Sequence, residues 1–210
     1  MRSEDRTTVQ QRTFTEEARR EQIIACAIEV LAELGYAQTS FARIAERLGI
    51  SKSVISYHFG GKDELLEQVV LAVYAHGAQY MIPRIKAQHS ARATLGTYLR
   101  SNLEFIRDHR TDIDAVTEIF LNVRRKDGSR RFAGGPGGMG QAVRPLQEIL
   151  RRGQEEGAFA EFDTRTMAWA IRNLVDGLTR QRALDPEFDH DTCIDEMVAL
   201  VDRATRKAAP

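Results

Sequence analysis

Between Ser51 and Lys62 the chain reads SKSVISYHFGGK, a short run crowded with side-chain donors. Lys52 and Lys62 carry ammonium groups, Ser53, Ser56 and Tyr57 carry hydroxyls, and His58 carries an imidazole. None of these residues is paired with a carboxylate in a nucleophile–base pattern, so the chemistry on offer is recognition of acceptors rather than bond breaking. Ile55 and Phe59 lie four residues apart and share one face of a helix. With that face turned inward, Lys52, Ser53, Ser56 and Tyr57 point outward. Such a helix fits the DNA major groove, which is about 12 Å wide and presents donors and acceptors on its base edges. Phosphates at the rim of such a groove call for positive or hydroxyl donors, which Lys52, Tyr57, His58 and Lys62 could supply. Lys62 also opens the next helix, whose first amides favour an anion.

Other helices must hold this one in place. Phe41, Ile44, Ala45 and Leu48 have helical spacing, with Thr39 or Ser40 as N-cap and Gly49 as stop. The turn Leu48-Gly49-Ile50-Ser51 then joins two short helices in the manner of a helix-turn-helix, with Ile50 inward and Ser51 able to cap the second. Ahead of them Ile24, Ala27, Ile28 and Leu31 mark a first helix that starts near Thr15, Glu16 and Glu17 and stops at Gly35. The bland alternative is a helical hairpin with a polar face. A fourth helix runs from Lys62 to about Met81, with Leu65, Leu66, Val69, Val70 and Val73 apolar, and Pro83 kinks or ends it. Longer helices are expected at 91–108, 111–125, 139–156, 163–183 and 190–206. Strand patterns are nearly absent. The fold class is therefore all-α: a tail at 1–14 expected to be disordered, a three-helix head at 15–61, and a larger helical body at 62–210.

Composition sets limits. The chain has 210 residues, 42% hydrophobic and 29% charged, which suits an ordinary globular protein with a substantial core. No apolar run approaches the ~20 residues of a membrane span, and no apolar leader follows Met1. The two cysteines, Cys26 and Cys193, form neither a metal pattern nor a disulfide framework, so a reduced cytoplasmic protein with no cofactor is expected. Formal net charge is zero, yet residues 84–152 carry 14 basic and 7 acidic side chains, and residues 153–210 carry 7 and 12. A few placed residues, not a bulk field, would have to hold nucleic acid.

The words SFARIAERLGISKSVISYHFGGKDELLEQVV resemble the DNA-binding segment of the tetracycline-repressor (TetR) family of bacterial regulators. The matching features are Ile44-Ala45, the turn Leu48 to Ser51, Tyr57-His58-Phe59, and Lys62-Asp63-Glu64-Leu65-Leu66, in order over about 50 residues. The resemblance implies a homodimeric DNA-binding regulator on a palindromic operator of double-stranded DNA, released by a small-molecule inducer. It implies phosphate contacts at Ser40, Tyr57, His58 and Lys62, and base reading at Lys52, Ser53 and Val54. Ser56 departs from the tyrosine frequent in the family and cannot reach as far. Arg43, on the exposed side of the second helix, either reaches a phosphate or pairs with a nearby acid.

The resemblance further implies a ligand-binding and dimerisation body. Phe105, Phe120, Met139, Trp169, Asn173 and Asp176 are candidate inducer contacts, each with a plain alternative as core or surface. Met167, Ile171, Leu174, Val175 and Leu178 form one apolar stripe, and Ile194, Met197, Val198 and Val201 another. Paired between two chains they would build a four-helix interface, and otherwise they face the chain's own core.

Other signals carry less. GGPGGMG holds Gly135, Gly137 and Gly140 in a GxGxxG spacing, but no strand precedes it, so KDGSRRFAGGPGG reads as a flexible loop. The basic residues in and beside it, Arg124, Arg125, Lys126, Arg130 and Arg131, are a solvated face, a site for an acidic ligand, or an extra DNA contact. DHDTC at 189–193 reads as a helix start rather than a metal site. An enzyme using a helical cavity, an adaptor, and an activator of the same fold are the competing functions, and no nucleophile–base constellation supports the first.

Overall fold

The computed structural model describes residues 4–125, 127–132, 139–185 and 187–207, with the side chains of 4–14, 139–142, 180 and 182–184 excepted. Nine α-helices occupy the described residues: α1 Glu4–Gln38, α2 Phe41–Leu48, α3 Lys52–His58, α4 Lys62–Lys86, α5 Ala91–Asp108, α6 Arg110–Asn122, α7 Met139–Glu155, α8 Thr164–Leu184 and α9 His190–Thr205. They form two compact units. One combines Met1–Val73 with Asp114–Arg131, and the other combines Tyr74–Ile113 with Phe132–Pro210.

The first unit is a small helical head. α1 buries Ile23, Cys26, Ala27, Val30 and Leu31, a stripe turned from the expected one, since Ile24 and Ile28 are only half-buried. The helix starts at Glu4 rather than Thr15, and the expected disordered tail is helical from Glu4 onward. No glycine or proline interrupts residues 4–34, so nothing in the chain stops it. Gly35 breaks it at φ 76 and ψ 171, which only glycine adopts readily, before α1 resumes to Gln38. Ser40 is the N-cap of α2 and accepts from the Arg43 amide at 3.2 Å, while Gly49 closes α2 in the left-handed region at φ 64. Thr39 instead folds back, its hydroxyl donating to the Gly35 carbonyl at 2.8 Å. The head core is completed by Ile44, Ala45, Ile55, Phe59, Leu65, Leu66, Val69 and Val70. Ile50, expected inside, is half-exposed.

α6 ends at Asn122 rather than at 125. Of the segment read as a flexible loop, the described residues 127–132 instead form a tight hairpin turn with 123–125. Arg124 and Arg130 form an antiparallel bridge. The Arg125 amide donates to Ser129 O at 2.7 Å, and the Arg131 amide donates to Val123 O at 3.0 Å. Asp127 accepts from the Ser129 amide at 2.9 Å and from its hydroxyl at 2.6 Å, and Gly128 supplies the positive φ of 82. Lys126 and the glycines 134, 135, 137 and 138 lie outside the described residues.

The second unit packs α5 against α7, α8 and α9, and α7 against α8. Its core holds Leu95, Leu99, Leu103, Ile106, Leu146, Leu150, Phe159, Ile171, Val175, Leu178, Ile194 and Val201. Five residues expected at a dimer interface, Ile171, Val175, Leu178, Ile194 and Val201, are therefore taken up by this chain's own core. The stripe pattern could not tell the two destinations apart. α4 passes through Pro83 to Lys86 instead of ending there, since the proline removes one amide donor near the last turns. Asp163 and Asp189 cap α8 and α9 through the Thr166 and Thr192 amides; hydrogen bonds from the side chains of these threonines first, and then from their amides, lower both carboxyls below the usual aspartate value. Asp189 is thus a helix start, as read from DHDTC.

Gly153 of α7 lies under the Phe159 ring, and a Cβ there would fall 2.0 Å from a ring carbon. Gly153→Ala should therefore lower stability by about 1–3 kcal/mol. In urea titrations, Phe159→Leu should erase part of that loss in the double variant, whereas simple additivity would remove the steric explanation.

Candidate nucleic-acid interface

α3 is a seven-residue helix, too short to persist alone in water. Its orientation comes from the head core. Ile55 is 0% and Phe59 1% exposed. Arg20 of α1 lies over the Phe59 ring at 4.5 Å, donates to the His58 carbonyl, and approaches Glu64 at 3.9 Å. α3 is thereby held along its inner edge. Lys52, Ser53, Ser56 and Tyr57 project outward, Val54 and His58 are half-buried at the border, and Tyr57 is 73% exposed.

The outward groups are either without an ion-pair or hydrogen-bond partner among the described residues or held in exposed bonds. Among the described residues Lys52 has no ion-pair partner. Ser51 occupies the N-cap position of α3, but its hydroxyl pairs with that of Ser53 at 2.7 Å instead of capping the helix. Tyr57 OH donates to Glu16 at 3.2 Å across an exposed gap, and its ring meets His58 edge-on at 5.1 Å. Arg43 pairs with Glu46 at 3.1 Å within α2, both side chains exposed. Such a pair contributes little and exchanges readily.

Lys62 has a second role that its position in the sequence did not reveal. Its ammonium donates to the Tyr36 carbonyl at 2.8 Å and sits over the Tyr36 ring at 3.9 Å. Burial lowers its pKa from the usual lysine value, with Asp63 offsetting part of this. The Tyr36 amide in turn donates to Glu118 of α6 at 2.9 Å, and Asn122 steadies that carboxylate at 3.2 Å. One residue near the end of α1 is thus gripped by α4 and by α6. An ammonium has three donors, so Lys62 keeps two for another acceptor. On α2, Arg47 adds a further brace by pairing with Glu33 at 2.6 Å and Glu29 at 3.8 Å on α1.

The candidate inducer contacts do not assemble as one set. Phe105 is buried, and its ring stacks on His109 at 4.1 Å with His76 at 5.4 Å. Phe120 belongs to the head unit. The Met139 side chain lies outside the described residues. Asn173 is exposed and donates to the Trp169 carbonyl of its own helix at 3.0 Å. Asp176 is exposed and pairs with Arg172 at 2.7 Å. Sequence reasoning missed Arg172, although a basic residue beside the inward positions Ala168, Ile171 and Val175 of α8, with an acid four residues on, is a legible signal. It forms the polar centre of the second unit with Tyr74 and Tyr98. Burial works against its charge, but Asp176 and the tyrosine oxygens outweigh that and its pKa ends above the usual arginine value. Burial raises the Tyr98 phenol, which hydrogen-bonds Arg172 and Asn102. Both tyrosines are neutral near pH 7, so they hold the guanidinium as dipoles.

The family model for bacterial regulatory proteins of the tetR family matches residues 23–69. A second, for the C-terminal part of the BetI-type transcriptional repressor, matches residues 91–209. The chain belongs to the TetR family. It is 33% identical to the HTH-type transcriptional regulator BetI 2 of Chromohalobacter salexigens over 178 residues, 82% of this chain and 81% of that protein. A shorter match to BetI 1 of the same organism is 46% identical over 52 residues, 25% of this chain and 26% of that protein. A solved structure titled AibR in complex with isovaleryl coenzyme A and operator DNA has TM-score 0.71 and 17% identity, and the match covers 87% of this chain and 97% of that one. The TetR resemblance of the head segment and the all-α class with an N-terminal helix-turn-helix both stand. The relatives are transcriptional regulators. Among the described residues no helix is long and apolar enough to cross a membrane.

Removing the Glu118 carboxylate leaves the half-buried Tyr36 amide without its acceptor, a loss of about 1–3 kcal/mol. Glu118→Ala should accordingly speed hydrogen exchange at the Tyr36 amide beyond any general loosening of α6. Unchanged Tyr36 exchange would show that the grip is not formed in solution.

Proposed function

We propose that this TetR-family chain is a ligand-responsive transcriptional repressor that binds a palindromic operator as a homodimer and lets go when a small molecule occupies its second unit. The observation that carries the reading is the two-sided α3, inward at Ile55 and Phe59 and donor-bearing at Lys52, Ser53, Ser56 and Tyr57. In this reading Lys52, Ser53 and Val54 face base edges. Ser40, Tyr57, His58 and the spare donors of Lys62 meet phosphates, and Arg43 exchanges Glu46 for one. The BetI-type repressor description over residues 91–209 supports repression, and such a regulator would work in the cytoplasm.

Dimerisation is proposed through the outer faces of α8 and α9. The core takes Ala168, Ile171, Val175 and Leu178 from α8, which leaves Ala170, Leu174 and Gly177 on the opposite side. On α9 the half-exposed Met197 and Val198 are joined by Leu200 at 48% exposure. Small and apolar residues at this spacing let two helices approach closely. Two heads related by a twofold axis would set their α3 helices about one DNA turn apart.

For the inducer, the proposed anchor is Arg172 with Tyr74 and Tyr98, and Trp169 supplies apolar surface nearby. A ligand that binds better to the form unable to bridge both half-sites weakens DNA binding by that difference in affinity. The AibR structure, whose title names both a ligand and operator DNA, supports one chain serving both.

Fluorescence anisotropy against the DNA upstream of the chain's own gene tests the reading directly, and failure to bind any duplex at low salt would reject it. Tyr57→Phe should weaken all duplexes alike, by about tenfold for a lost hydrogen bond to a charged phosphate. Val54→Thr should instead reorder base preference. Identical behaviour of the two variants would undo the division of roles. Separately, sedimentation velocity of Leu200→Glu should give a folded monomer, and a dimer as tight as wild type would move the interface elsewhere.

A further inference from the structure

The hairpin 123–131 carries a feature that the repressor reading does not use. Its bridge partners Arg124 and Arg130 stand directly opposite each other, both exposed. Like charges so placed repel across the pair. Neither has a carboxylate partner among the described residues; the nearest bond is a long one, Arg124 to the Gly128 carbonyl at 3.5 Å. The neighbouring guanidiniums are occupied. Arg125 folds back onto the Arg130 and Arg131 carbonyls at 3.4 and 3.0 Å. Arg131 reaches Asp63 at 3.0 Å and Glu67 at 3.3 Å on the first turns of α4. That anchor holds the hairpin beside the start of the helix next after α3, inside the same compact unit. Val123, 4% exposed, fixes its base. The turn is therefore ordered, is tied to the DNA-reading head, and presents two uncompensated cations on one face.

We infer that Arg124 and Arg130 form a second, sequence-independent contact with the DNA backbone, donating to one or two phosphates alongside those met by α3. A phosphate set between the two guanidiniums would relieve their repulsion and take charge-assisted hydrogen bonds from both. The inference rests on the DNA-binding reading above. A small acidic ligand is the competing occupant, and its consequences differ, because only a DNA contact changes the salt dependence of duplex binding.

The test uses the full-length chain, an operator duplex and a random duplex of equal length, with affinities measured between 50 and 200 mM salt. Each phosphate contact contributes about 0.9 to the slope of log affinity against log salt. The double variant Arg124→Ala/Arg130→Ala should lose about 0.9 of slope if the two share one phosphate and about 1.8 if each meets its own, so that fourfold more salt costs wild type about threefold to twelvefold more affinity than the variant. The ratio of operator to random binding should stay the same. Arg124→Lys/Arg130→Lys keeps the charges and should keep most of the slope, which separates charge from any disturbance of the turn. An alanine pair with wild-type slope and affinity overturns the inference while leaving the repressor reading intact. A wild-type chain that binds neither duplex overturns that reading itself.

Discussion

Burial of Ile55 and Phe59 is the constraint on which the rest of the head depends. A helix of seven residues has no stable orientation of its own, so its direction is decided by what it packs against. Two side chains almost wholly removed from water, with a guanidinium laid over the Phe59 ring, leave α3 one way to face. Each such residue contributes about 1.5–3 kcal/mol through burial, more than an exposed hydroxyl or ammonium could lose by pointing elsewhere. The polar outer edge therefore results from the apolar inner edge, and recognition is a consequence of packing.

The same logic extends to the grip on Tyr36. Its carbonyl is held from α4 and its amide from α6, so the end of α1, the start of α4 and the middle of α6 belong to one unit. α4 itself continues past Val73 into the second unit. One continuous helix is thus a covalent link between the two units.

Much of this was legible in the sequence because it is local. Capping residues, left-handed glycines and 3.6-residue periodicity located α2, α3, α5, α7, α8 and α9 to within a residue or two. The turn at Gly49 and the inward pair Ile55 and Phe59 were readable for the same reason. The features that escaped depend on contacts distant in sequence. The hairpin at 123–131 looked like a loop because its order comes from Asp127 and Ser129 bonds and from Arg131 reaching back to α4. Lys62 looked like a free cation because its partner, Tyr36, lies far upstream. The stripes on α8 and α9 named apolar faces but not their destinations. A neighbouring core and a partner chain ask for the same residues, and only packing showed that Ile171, Val175 and Ile194 face inward. On α1 Ala27 and Leu31 of the expected stripe are buried, but Ile23, Cys26 and Val30 join them in place of Ile24 and Ile28, and the Cys26 sulfur lies 3.9 Å from the Ile44 carbonyl of α2.

The central claim is that the outer edge of α3 is the surface that meets DNA. Backbone amide chemical shifts recorded during titration with the selected operator duplex test it most directly. The largest changes should cluster from Ser51 to Tyr57 and at the start of α4, with the amides of the second unit shifting far less. Changes confined to the second unit, or a head that stays silent while the duplex binds, would contradict the account.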